Sequence, residues 1–179
     1  MYKNTKQQFG LITKLFHWLS AMTIFGLFAL GYWMVDLDYY SQWYQTAPHC
    51  HESIGILLLI TTIARLVWRT INVKPAHIST HTITVQRSSA IVHIILYLLL
   101  FLMMFSGYLI PTADERVISV FTWFDLPSLG QLFANQEDVA GTIHEYGAYT
   151  IISIAVLHGV AALKHHFIDK DATLMRMIK

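Results

Sequence analysis

Four long apolar runs organise the chain, at about residues 15–35, 51–71, 89–110 and 142–164. Each holds about 20 residues, enough for a helix to cross the hydrocarbon of a bilayer. The runs are continuous and not alternating, so the ten-residue strands of a β-barrel do not fit them. A helix pairs its own backbone groups and needs no water, which makes it the element that lipid tolerates. The pattern predicts an all-α integral membrane protein, a four-transmembrane-helix bundle forming one membrane domain over 1–179.

The polar positions orient the bundle. The N-terminal tail, the connection between helices 2 and 3, and the C-terminal tail carry Lys3, Lys6, Lys14, Arg65, Arg69, Lys74, Arg87, Lys164, Lys170, Arg176 and Lys179. Arg116 is the one basic residue on the other side. The positive-inside rule then predicts both termini in the cytoplasm of a bacterial inner membrane. The outer loops, about 36–50 and 111–141, carry Asp36, Asp38, Asp114, Glu115, Asp125, Glu137 and Asp138. Trp33, Trp43 and Trp123 fit an aromatic belt on that side. The stretch VISVFTWFDLP predicts a short interfacial helix.

Composition agrees. The chain is 55% hydrophobic and 13% charged, against about 25% charged in ordinary soluble domains. A net charge of +1 gives no reason to expect nucleic acid. Cys50 is the only cysteine, so no internal disulfide forms, and no CxxCH occurs for covalent haem attachment. Lys3, Lys6 and Lys14 before an apolar run suggest a signal peptide. The run is too long for one and lacks a small-residue cleavage site, so a retained first helix is expected.

Candidate chemistry lies in the ten histidines. His144 and His158 stand at the two ends of the fourth run. Fourteen residues are nearly four turns, so both imidazoles leave one face, about 21 Å apart along the axis. A histidine in the membrane needs a partner or a function. His51 shares the outer level with His144. His17 and His93 share the inner level with His158. Two haem irons, each held by two histidines from different helices, need two histidines per level, and this set supplies them with one spare. Small residues one turn away, such as Ser20, Gly55, Gly147 and Ala162, leave room for a porphyrin; they also suit close helix packing.

His93 has three readings: an inner haem ligand, a hydrogen-bond partner for a quinone carbonyl, or a satisfied polar group of the bundle. Arg65, Arg69 and Arg87 near the inner surface are candidates to pair with haem propionates, though the positive-inside rule alone would put them there. His51-Glu52 and His144-Glu145 do not continue to HExxH, which excludes a zincin. His77 and His81 read as loop residues, and His165-His166 as a solvated interfacial pair.

Several segments, in this order and spacing, carry a resemblance: LFHW at 15–18, HESIGI at 51–56, HIILYLLLF at 93–101, the His144–His158 helix, and KHHFIDKDATLMRM at 164–177. Over nearly its whole length the chain resembles the bacterial cytochrome b561 family. That resemblance implies two haem b groups, with His17 and His158 on one iron and His51 and His144 on the other. It implies one-electron transfer between a periplasmic donor and ubiquinone. For the best-known member type the donor is superoxide, which would make the protein a superoxide:ubiquinone oxidoreductase. The acidic outer loops should repel that anion and better suit a cationic donor or a basic redox protein. A rival role is the quinone-reactive cytochrome b anchor of a membrane-bound dehydrogenase. A remote one is a haem-free proton or metal transporter.

Overall fold

The computed structural model describes residues 1–179. It contains helix α1 (Leu11–Met34), α2 (Thr46–Ile71), α3 (Ile83–Thr112), strands β1 (Ile118–Val120) and β2 (Phe124–Leu126), α4 (Gln136–Phe167) and the one-turn α5 (Met175–Ile178). The four long helices have the length and apolarity to cross a membrane. Only 19 of 179 residues are buried. The apolar surface left outside, such as Leu98, Phe105, Tyr146 and Leu157, is what a helix presents to lipid.

Each long helix begins about one turn or more before its apolar run, and at α3 a polar cap sets the start. Thr82 starts α3 by accepting from the Val85 amide at 3.3 Å, so Ile83–Ser88 are already helical. Gln136, the first residue of α4, ties the helix start to its surroundings: its side chain donates to Leu109 O at 3.0 Å and accepts from the Leu132 amide at 2.7 Å. Glu137 and Asp138 in that first turn favour its positive end. α2 begins at Thr46, so His51 lies more than a turn inside it.

The helices alternate in direction as two hairpins. α1 packs mainly on α2, and α3 on α4; α2 with α3, and α1 with α4, touch less extensively. Both chain termini lie at one end. Trp18 Nε1 donates to Met177 O at 2.9 Å, and Lys14 Nζ donates to Lys179 O. The α2–α3 connection closes the same end: the Ala76 amide donates to Lys6 O, and Arg176 donates to Ala76 O, both at 2.7 Å.

The opposite end corrects one expectation. VISVFTWFDLP is not an interfacial helix but the antiparallel hairpin β1–β2, with Ile118 opposite Leu126 and Val120 opposite Phe124. Val117-Ile118-Ser119-Val120 alternates with period two, and Ile118 and Val120 are buried against Ile56 of α2. Phe121, at φ 49°, makes the turn. Buried Ser53 fixes the hairpin: its Oγ donates to Ser119 O at 3.2 Å and accepts from the Phe121 amide at 3.0 Å.

Candidate functional site

One spacing recurs in all four long helices. Fourteen residues separate His17 from Gly31 in α1, His51 from Arg65 in α2, His93 from Gly107 in α3, and His144 from His158 in α4. At 3.6 residues per turn each pair shares a face. Because the helices alternate in direction, the eight positions fall into two levels. His17, Arg65, His93 and His158 meet near the terminal end. Gly31, His51, Gly107 and His144 meet near the hairpin end.

At the hairpin level His51 and His144 face each other with ring centres 6.0 Å apart. Two imidazoles on opposite sides of one metal ion, with metal–nitrogen bonds of about 2 Å, place their ring centres about 6 Å apart. His144 Nδ1 lies 3.0 Å from Met103 O and 3.2 Å from Ser106 Oγ. A carbonyl only accepts, so this nitrogen carries the proton and Nε2 keeps the lone pair that a metal needs. His51 Nδ1 is buried without a hydrogen-bond partner. Two glycines press backbone against these rings. A Cβ at Gly107 would lie 2.8 Å from His144 Cε1, and one at Gly31 would lie 3.1 Å from His51 Cε1.

At the terminal level His17 and His158 have ring centres 6.3 Å apart. His93 is closer to His158, at 5.2 Å, too near for the two to hold one ion from opposite faces. Arg65 Nη2 lies 3.4 Å from His17 Nδ1. Arg65 and Arg69 also stack over the Tyr97 ring, at 5.4 and 5.6 Å from its centre. Arg87 is exposed and is not drawn into this group. A guanidinium only donates, so in this arrangement His17 Nδ1 is the acceptor. Ligation through Nε2 would move that proton to Nδ1 and turn Arg65 toward an anion.

The residues present fit the donor chemistry of haem b: two imidazoles at a suitable separation at each level, a fixed tautomer at His144, and cations for carboxylates beside a His17 ring that would take its other tautomer. Gly31, Gly107, Ser106, Met103 and Tyr97 are contributors that the histidine pattern did not single out. The fourteen-residue spacing would have found the two glycines.

A third cluster overturns two readings. His81 is not an ordinary loop residue, and His165 is not a solvated one. His81 Nε2 contacts Asp171 Oδ2 at 2.8 Å, and His165 Nδ1 contacts the same oxygen at 3.0 Å. All three side chains are largely buried. His77 is exposed, as expected of a loop.

Comparison with known proteins agrees with this architecture. Residues 8–179 match the family described as prokaryotic cytochrome b561. Cytochrome b561 homolog 2 of Escherichia coli (strain K12) is 47% identical over 177 residues, covering 99% of this chain and 94% of the relative. Cytochrome b561 homolog 1 of the same organism is 23% identical over 166 residues, covering 90% and 92%. The chain belongs to the prokaryotic cytochrome b561 family, membrane-embedded b-type cytochromes of electron transport.

Proposed function

We propose that this chain carries electrons one at a time across the bacterial inner membrane, between a periplasmic donor and the ubiquinone pool, using two haem b groups. His51 and His144 would hold the outer one, and His17 and His158 the inner one. The observation that carries this reading is the pair of histidine couples about 6 Å apart, one near each end of α4. Both termini lie on the cytoplasmic side in this reading, following the basic residues gathered there.

Haem b, when bound, supplies a one-electron iron couple whose potential depends on ligands, burial and hydrogen bonding. The chain's residues do the rest. Met103 O and Ser106 fix the His144 tautomer. Arg65 and Arg69, both stacked over the Tyr97 ring, would neutralise the propionates of an inner haem. Arg87, exposed in the second turn of α3, would need to reach inward for the same role. His93 is too close to His158 to share an iron with it, and with His17 and His158 on the inner iron it would be free to hydrogen-bond a quinone carbonyl. A quinone would reach that level from the bilayer.

The anchor role for a separate dehydrogenase is favoured by one observation. The outer face combines acidic loops with exposed aromatic side chains, including Tyr40 at 93% and Trp123 at 68% exposure, a surface suited to docking a basic redox protein. A periplasmic subunit that co-purifies stoichiometrically would establish that role.

The test is a reduced-minus-oxidised visible spectrum with haem quantitation on purified protein. Two haems per chain are expected. His144→Ala should remove one, His158→Ala the other, and His93→Ala neither. Colourless protein would end the proposal, and two haems retained in both ligand variants would refute the assignments.

A further inference from the structure

At the terminal end, outside both histidine levels, three segments distant in sequence converge on one point. His81 immediately precedes the cap of α3, His165 lies in the last turn of α4, and Asp171 lies in the tail beyond it. We propose that His81 Nε2, His165 Nδ1 and Asp171 Oδ2 form a binding site for one divalent transition-metal ion of the zinc type.

The three ligand atoms lie within 4.8 Å of one another. Two neutral imidazoles and a carboxylate suit zinc and its first-row neighbours; calcium and magnesium prefer oxygen alone. Three protein ligands leave a coordination position for water or for Asp169, whose Oδ2 is 2.9 Å from His165 Nδ1.

Contacts outside the cluster already hold its members. Gln86 Nε2 donates to His81 O at 3.0 Å. The Thr173 amide donates to Asp171 Oδ1 at 2.8 Å, which leaves Oδ2 turned to the imidazoles. The Asp171 side chain is only 6% exposed. A carboxylate is an anion at neutral pH, and its Oδ2 faces both imidazoles at 2.8 and 3.0 Å.

His165 supplies the second observation. Its Nδ1 lies 2.9 and 3.0 Å from two carboxylate oxygens, yet neither contact has hydrogen-bond geometry, and the nitrogen is buried without a partner. A proton on Nδ1 would be poorly used there, and a lone pair beside two anionic oxygens is unfavourable. A cation bound by all of them removes both penalties. A bound ion would tie the start of α3, the end of α4 and the tail together.

The test uses untagged, full-length, haem-loaded protein in detergent, stripped with a chelator and titrated with zinc by calorimetry. One tight zinc per chain is expected. Asp171→Asn and His81→Ala should each weaken it by about 100-fold or more, while His77→Ala should leave it unchanged. Gel filtration checks that each variant is folded. Absence of a stoichiometric site, or binding that survives Asp171→Asn, would overturn the proposal. Zinc-edge X-ray absorption of the unmodified protein gives a reading that needs no variant. Two imidazoles with oxygen are expected; a shell of water oxygens alone, or sulfur from Cys50, would overturn it.

Discussion

Gly107→Ala should damage the outer haem site while sparing the inner one. The added Cβ would lie 2.8 Å from His144 Cε1 and 3.1 Å from Nδ1. Ordinary carbon contacts begin near 3.5 Å, so ring and helix must separate by about 0.7 Å. The ring is not free to slide, because Met103 O and Ser106 hold Nδ1 at 3.0 and 3.2 Å. Overpacking of this kind costs about 1–3 kcal/mol, and a lost hydrogen bond adds about 1 kcal/mol. Alanine's better helix propensity returns about 1 kcal/mol. The net, about 1–3 kcal/mol, weakens retention of one haem roughly 5- to 150-fold. Gly31→Ala should do less, since its Cβ would meet His51 Cε1 at 3.1 Å. Gly26→Ala is the control: nothing lies within 4 Å of that position, and nine residues put it on the far side of α1 from His17. The assay is haem per chain together with a potentiometric titration that resolves two components. Gly107→Ala protein holding two haems at unaltered potentials would refute the proposed outer site.

Other perturbations separate the remaining parts. Arg65→Leu removes a cation beside His17 and should lower one midpoint potential by some tens of millivolts, the order expected for one charge at intermediate dielectric; an unchanged redox titration would separate Arg65 from the inner haem. Ser53→Ala removes two buried hydrogen bonds to the β1–β2 hairpin and should cost about 1–3 kcal/mol locally, read as faster amide exchange over 118–126 with the spectrum retained. If superoxide is the donor, quinone reduction should speed up as salt screens the acidic loops. A rate that is fastest at low salt would show that those loops do not govern approach.

The four helices were legible because lipid imposes one solution on a long apolar run, and the paired histidine levels followed from the rise of a helix. The partners of those histidines were harder to see. Gly31 and Gly107 look like ordinary small membrane residues until the spacing of His144 to His158 is carried to the other helices, where it marks them at once. Arg65 follows from the same spacing, yet reads as a topology signal because basic residues gather at that end in any case. The hairpin was misread because an aromatic-rich loop at an interface satisfies helix and strand alike; a buried Ser53 hydroxyl, 66 residues from Ser119 in sequence, decides between them. The His81–His165–Asp171 cluster shows the deeper limit. Periodicity relates residues within one element, whereas these three come from a loop, a helix end and a tail. Only the folding of both termini and the α2–α3 connection onto one end of the bundle brings them together. The helix spacing therefore specifies the two levels inside the membrane, and tertiary closure at that end specifies the third cluster independently of them.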